Sequence, residues 1–441
     1  MTKSSISNDL LLALDTLKDL DIDISKIKRK SFIEIMHVFS NCSDFRKKYL
    51  CKYSYESMIL MILVSKICWR AISYSDISYW CSENKNKLKK MGIITSDKTP
   101  SHDTFRRFIQ SFDSASLQKE TLDKIVVLFN KIAKCNNNYQ KCCMEVINVD
   151  GKEFRGSGRK EGTNRPHGNL ATLNIYETKS QCCIISKPIT KKESEINAFY
   201  DLLQELDLNG KIITADAIQC QKKICKRINE KRGKYLIACK RNQASLLEDQ
   251  KQCFEAFGSI ASYNDEYLNK HIGIVTNYKR KNREFKIIKL KSKYVGLNWP
   301  NLKAYIEVKS KTHNKKETSN INYFITDLAN DEIILETIEN RWKIEGDYHY
   351  EKDKLLYEDS FRSESKEALK NMAVINSIIL SFFKVVKVLY GLNSGKQAHM
   401  KIAANPTEVI NNILSIINSK ELINEIKKQM KIKNNQSYSN S

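Results

Sequence analysis

Three acidic residues carry the chemistry open to this chain. Asp150 ends the apolar run Val146-Ile147-Asn148-Val149 and is followed by Gly151-Lys152. Asp216 ends a second such run, Lys211-Ile212-Ile213-Thr214-Ala215. Glu345 comes after Arg341-Trp342-Lys343-Ile344 on a helical stretch. Carboxylates at two strand ends and on one later helix can converge on Mg²⁺ or Mn²⁺, hard ions that take oxygen ligands and keep waters. Two such ions about 3.5–4 Å apart can activate an attacking oxygen and neutralise a leaving one at phosphorus. Taken singly, a strand-end aspartate is more often a turn former or a helix cap. As a set, in a chain of formal charge +23, the three point to phosphodiester chemistry on a polyanion.

The charge supports that direction. Lys and Arg number 74 against 51 Asp and Glu, an excess that attracts phosphate backbones through counterion release. A lysine-rich codon bias would inflate the excess everywhere, yet the charge also clusters. Residues 26–52 hold eight Lys or Arg and two acids, and residues 279–293 hold eight and one. Other classes fall away. Thirteen scattered cysteines with no zinc spacing argue against a secreted disulfide framework and fit reduced thiols. The first twenty-one residues carry acids where a signal peptide needs a basic start. The apolar run Met58 to Val64 is too short to span a bilayer, and Met372 to Tyr390 is interrupted by Asn376, Lys384 and Lys387, which makes it a core helix. Gly156-Ser157-Gly158 is a flexible loop rather than a nucleotide fingerprint, and with no P-loop ATP is not implied.

The elements that must position the acids emerge from periodicity. Residues 1 to about 135 read as helices, among them the apolar face Phe32 to Phe39, the segment Tyr55 to Trp69, and a helix opened by Ser101-His102-Asp103. His102 and Asp103 are read as helix-start residues, and Trp69 and Trp80 as core. An Asn-rich linker, Cys135 to Lys141, separates these helices from a second region. From Met144 the period becomes two: strands at 144–150, 169–177 and 181–189, a helix at 193–207, a strand at 211–216, a helix at 218–232 and a strand at 234–239. That order is a mixed α/β sheet with one antiparallel edge. Four further strands fall within 258–326, a long helix at about 331–354 carries Glu345, and helices at 364–392 and 405–430 close the chain.

Ordered motifs then carry a resemblance. Asp150-Gly151-Lys152, Thr214-Ala215-Asp216-Ala217 leading to Cys220-Gln221-Lys222, Lys240-x-Asn242-Gln243, and Arg341-Trp342-x-Ile344-Glu345 with His349, Asp353, Glu358-Asp359 and Arg362 resemble the DDE insertion-sequence transposases of the H-repeat-associated type. Asp44-x-Arg46 and Pro100-Ser101-His102-Asp103-Thr104-Phe105-Arg106 resemble that family's associated helical domain, so the likeness covers about residues 30–385 in order.

The resemblance implies an α/β fold: an RNase H-like mixed-sheet catalytic core at 142–392 with a β-rich insertion at about 245–328. An all-α domain at 1–138 precedes it, and a C-terminal helical tail at 393–441 ends the chain. It implies Asp150, Asp216 and Glu345 as catalytic residues and ligands of about two Mg²⁺ or Mn²⁺ ions. The wider group places a tyrosine where Ile338 stands and a lysine at Lys352. Arg341, Glu345, His349 and Lys352 are spaced to share one face of a regular helix. Arg341 and Lys352 are therefore candidates to grip phosphates, with an Arg341–Glu345 surface ion pair as the plain alternative. Lys152 and Lys240 are further phosphate candidates or simple surface lysines, and His349 is either a DNA or metal contact or a packed histidine. The implied partners are element ends and target DNA, with a homodimer at synapsis, no membrane and no ATP. The implied place is the bacterial cytoplasm, at the nucleoid. Two other readings stay open: a non-enzymatic DNA-binding protein derived from such an element, and a metal nuclease that stops after hydrolysis.

Overall fold

The computed structural model describes residues 46–119, 145–153, 171–179, 181–189, 192–256, 272–280, 282–291, 298–312, 318–361 and 365–405, with 42, 44, 121 and 363. The expected Phe32–Phe39 face, the 135–141 linker, the 156–158 loop and the 405–430 helix lie outside the described residues. So does the side chain of Glu345.

Runs rich in Val and Ile build the centre of one nine-stranded sheet. Its strands are β1 (Glu145–Glu153), β2 (Ala171–Glu177), β3 (Cys182–Ile189), β4 (Lys211–Ala215), β5 (Lys234–Cys239), β6 (Ile272–Arg280), β7 (Arg283–Leu290), β8 (Ala304–Thr312) and β9 (Thr318–Thr326), in the order β3-β2-β1-β4-β5-β9-β8-β7-β6. β1, β4 and β5 are parallel, and β1, β2 and β3 pair antiparallel in succession, which is the RNase H-like arrangement. Parallel neighbours need helical crossovers. These are α5 (Lys192–Glu205) before β4 and α6 (Lys222–Glu230) before β5. The β-rich segment extends the same sheet rather than standing apart. After α7 (Ala244–Ala256), the meander β6–β9 joins it through antiparallel pairing of β9 with β5, Cys239 opposite Tyr323.

Helices cover both faces. On one, Phe199 and Leu202 of α5, Ile224 and Ile228 of α6 and Phe254 of α7 pack on Ile147, Val149, Ile213 and Ile237. On the other, Ile334, Leu335 and Ile338 of α8 (Asp331–Lys343) pack on Val146, Ile212, Leu236 and Phe324.

The N-terminal helices are α1 (Tyr55–Trp69), α2 (Tyr74–Glu83), α3 (Lys85–Lys90) and α4 (His102–Ser111). Side chains cap three of them: Ser54, Ser73 with Asp76 in a capping box, and Ser101 accepting from the Thr104 N–H. They share one apolar cluster with α10 (Lys366–Leu389) and α11 (Gly395–Ala404). α10 is long and apolar enough to cross a membrane, but most of it is buried within this cluster. Trp69 was expected in the core and is 60% exposed, because α1 stops at Arg70 in the left-handed region and leaves its last ring outside. Trp80 packs against the cluster. The ten described cysteines are all free.

Candidate active site

Side chains alternate along a strand, so β1 divides its residues between the two faces. Ile147 and Val149 enter the core under α5. Asn148, Asp150 and Lys152 take the other face, where the Asn148 amide donates to the Asn340 carbonyl of α8 at 3.0 Å. β4 runs parallel beside β1, with Val149 paired to Ala215. Asp150 and Asp216 therefore each stand one residue past that registered pair, Asp150 within β1 and Asp216 just beyond the end of β4. The expected helix at 331–354 is present but not uniformly α-helical. α8 passes at Ile344 into a six-residue π-helical segment, Ile344–His349, and resumes as α9 (Tyr350–Leu355). π segments are rare and concentrate at functional sites. This one carries Glu345 and packs on β1.

The two aspartates meet different partners. Asp216 receives Arg341 Nη2 and Lys240 Nζ, each 3.3 Å from Oδ1. Burial pushes its carboxyl upward, but the Ala217 backbone N–H, Lys240 and Arg341 outweigh it and hold the group below the usual carboxylate range. Asp150 Oδ1 accepts from the Gly151 N–H at 2.9 Å, and its Oδ2 lies 3.7 Å from His349 Nδ1. Burial, with Lys352 and Lys152 nearby, pushes His349 down to about 3, so its ring is neutral near pH 7. Asn174 Nδ2 lies 3.4 Å from His349 Nε2. An amide N–H can only donate, which assigns Nε2 as acceptor and turns Nδ1–H toward Asp150.

Arg341, Lys240 and His349 thus gather at the aspartates. Arg341 is 11% exposed, whereas Lys240 is 61% exposed and open to a ligand. Lys152 and Lys352 do not join them. Lys152 is 7% exposed with Nζ 2.6 Å from Asp353, and Lys352 is fully buried with Nζ 3.2 Å from Glu358. The expected shared face fails because it assumes regular helical spacing through 345–349. The wider π turn rotates the helix beyond it, sending Lys352 inward while Arg341 and His349 remain at the aspartates. An ammonium in that position cannot reach a phosphate outside.

Asn174 carries no motif and was not among the candidates. It sits in the middle of β2, directly opposite Asp150, and accepts from Ser186 Oγ at 2.9 Å. A lone amide inside the apolar run Ala171-Thr172-Leu173-Asn174-Ile175 was the available signal. Asn174→Leu is expected to lower stability by about 2 kcal/mol, since Ser186 and His349 would lose a buried partner. Urea unfolding measures it, and a midpoint equal to that of the unsubstituted chain would show that these groups need no partner.

Among the described residues, no three His, Cys, Asp or Glu side chains gather as a metal cluster. The donor set of the pair nonetheless suits a hard cation. Both carboxylates offer oxygen alone and both are partly exposed, although a cation at Asp216 would have to displace or share the carboxylate with Arg341 and Lys240.

Residues 141–382, more than half the chain, match the model of the transposase DDE domain, and residues 36–123 match that of the DDE-associated region. The chain belongs to the DDE transposase family. The transposase is 25% identical to the protein YbfL of Escherichia coli K12 over 391 residues, which covers 87% of this chain and 98% of that one. It is 24% identical to the H repeat-associated YhhI of the same strain, with the same coverage. H repeat-associated YbfD is 28% identical across 48% of this chain and 78% of its own length. A solved piggyBac transposase synaptic complex with hairpin DNA aligns at a TM-score of 0.40 and 11% identity, covering 92% of this chain and 82% of that one.

Proposed function

We propose that this transposase cleaves DNA strands at the ends of its element and joins the freed 3′-OH to target DNA, with Asp150, Asp216 and Glu345 as ligands of two divalent ions. One observation carries the reading: Asp150 on β1 and Asp216 just past the end of β4 follow a registered pair on adjacent parallel strands, and the segment bearing Glu345 packs on the first of those strands. When bound, Mg²⁺ or Mn²⁺ would activate the attacking oxygen and neutralise the leaving one. The chain's own groups do the rest. Neutral His349, 3.7 Å from Asp150 Oδ2, flanks that carboxylate without adding a charge to it. Arg341 and Lys240 balance Asp216 before ions or DNA arrive, and Lys240 can then swing to a phosphate flanking the scissile bond. Transesterification conserves phosphodiester bonds, so no ATP is needed. Pairing two element ends calls for two copies of the chain.

The test uses labelled duplexes made from the DNA flanking the gene, intact or pre-nicked to expose a 3′-OH, with Mg²⁺ or with EDTA. Mg²⁺-dependent nicking and joined products are the expected result. Nicking without joining would make the protein a metal nuclease, and binding with no cleavage under either condition would make it a DNA-binding derivative.

A further inference from the structure

Under the two aspartates lies a cluster of buried charges that the proposed reaction leaves without a role. Lys152 comes two residues after Asp150 on the same face of β1. Its Nζ is 2.6 Å from Asp353 Oδ1, 3.5 Å from Glu358 Oε2 and 3.9 Å from Asp359 Oδ1. From α9, Lys352 places Nζ 3.2 Å from Glu358 Oε1. The same oxygen accepts a hydrogen bond from Asn376 Nδ2 of α10 at 3.1 Å. Glu358, itself 1% exposed, therefore connects the strand of Asp150, the helix that continues from Glu345, and the long helix behind them. Its charge also reaches Lys66, buried on α1.

Stability alone does not account for such a cluster. Removing charges from water is unfavourable, and apolar side chains of similar volume often hold a fold as well or better. What buried ion pairs add is partner selectivity, because a charge pulled away from its partner in a dry interior is left uncompensated at a large cost. A site built on two elements works only while those elements stay within about 0.5 Å of the productive spacing. We propose that Glu358 is a positioning residue: by engaging Lys152 of β1 and Lys352 of α9 with its two oxygens, it fixes the separation between the strand carrying Asp150 and the helical segment carrying Glu345. The inference rests on reading Asp150, Asp216 and Glu345 as metal ligands.

Mn²⁺ binding to the full chain without DNA, monitored by electron paramagnetic resonance of the free ion, tests both layers separately, with thermal unfolding of the same samples. Asp150→Asn reports on the underlying reading. If it binds Mn²⁺ as the unsubstituted chain does, the metal-site reading fails and takes the proposal with it. Glu358→Gln keeps the volume and removes the charge. It is expected to unfold cooperatively, to bind DNA unchanged in EDTA, and to weaken Mn²⁺ binding about tenfold or more, as loss of groups behind metal ligands does. Unchanged Mn²⁺ affinity in folded Glu358→Gln, with Asp150→Asn impaired, overturns the proposal. Should Glu358→Gln not fold, Lys352→Met removes only the α9 side of the link. The same weakening is expected there, and full affinity in that folded variant overturns the proposal equally.

Discussion

Asp150→Asn is expected to reduce Mg²⁺-dependent strand cleavage about a thousandfold or more while DNA binding in EDTA stays the same or tightens. A thousandfold corresponds to about 4 kcal/mol of transition-state stabilisation. The substitution is nearly isosteric, so packing is spared. What disappears is one unit of negative charge, and with it the ligand best placed to hold an ion beside Asp216. The structural cost is small, because the neighbouring His349 is neutral and loses no ion pair. DNA binding should not suffer, since removing an anion from a basic surface favours a phosphate backbone. Single-turnover cleavage and fluorescence anisotropy separate the two effects. Cleavage at the unsubstituted rate would sink the assignment of Asp150.

The second large effect concerns the π segment rather than an acid. Tyr348→Ala is expected to lower the unfolding free energy by about 3–5 kcal/mol, the range for deleting a buried aromatic ring. Tyr348 is almost fully buried, its ring 5.7 Å from that of Tyr176 on β2, its hydroxyl 2.7 Å from Ser377 Oγ on α10. Lys352 Nζ lies over the same ring at 4.9 Å. The residue thus pins the segment carrying Glu345 and His349 between sheet and helix. Tyr348→Phe keeps the ring, and Ser377 still donates to the Ala373 carbonyl, so a loss of about 1 kcal/mol is expected. Urea midpoints at unchanged slope measure both. If alanine costs no more than phenylalanine, the ring does not hold the segment.

Much of the site was legible because it depends on chemistry close along the chain. An apolar run ending in an acid announced a strand twice: β4 does stop before Asp216, whereas β1 continues through Asp150 to Glu153 because β2 goes on pairing with it. The strands of the β-rich segment could be read from their alternation. Their union with the catalytic sheet through β9 and β5 could not, since pairing across the chain leaves no local trace. Lys152 and Lys352 show the same limit. Their charge suggested a surface, and only the acids they meet in the fold, Asp353 and Glu358 for Lys152 and Glu358 for Lys352, make their burial tolerable.

By itself, then, the sequence determined the residue types, the strand-and-helix order and the family to which the chain belongs. Local propensity and alternation are written in neighbouring residues. The tertiary structure alone decided which groups face one another: Asn174 opposite Asp150, Arg341 on Asp216, Glu358 between two lysines. Those meetings arise from sheet register and from one irregular turn of helix at 344–349, which no regular period anticipates.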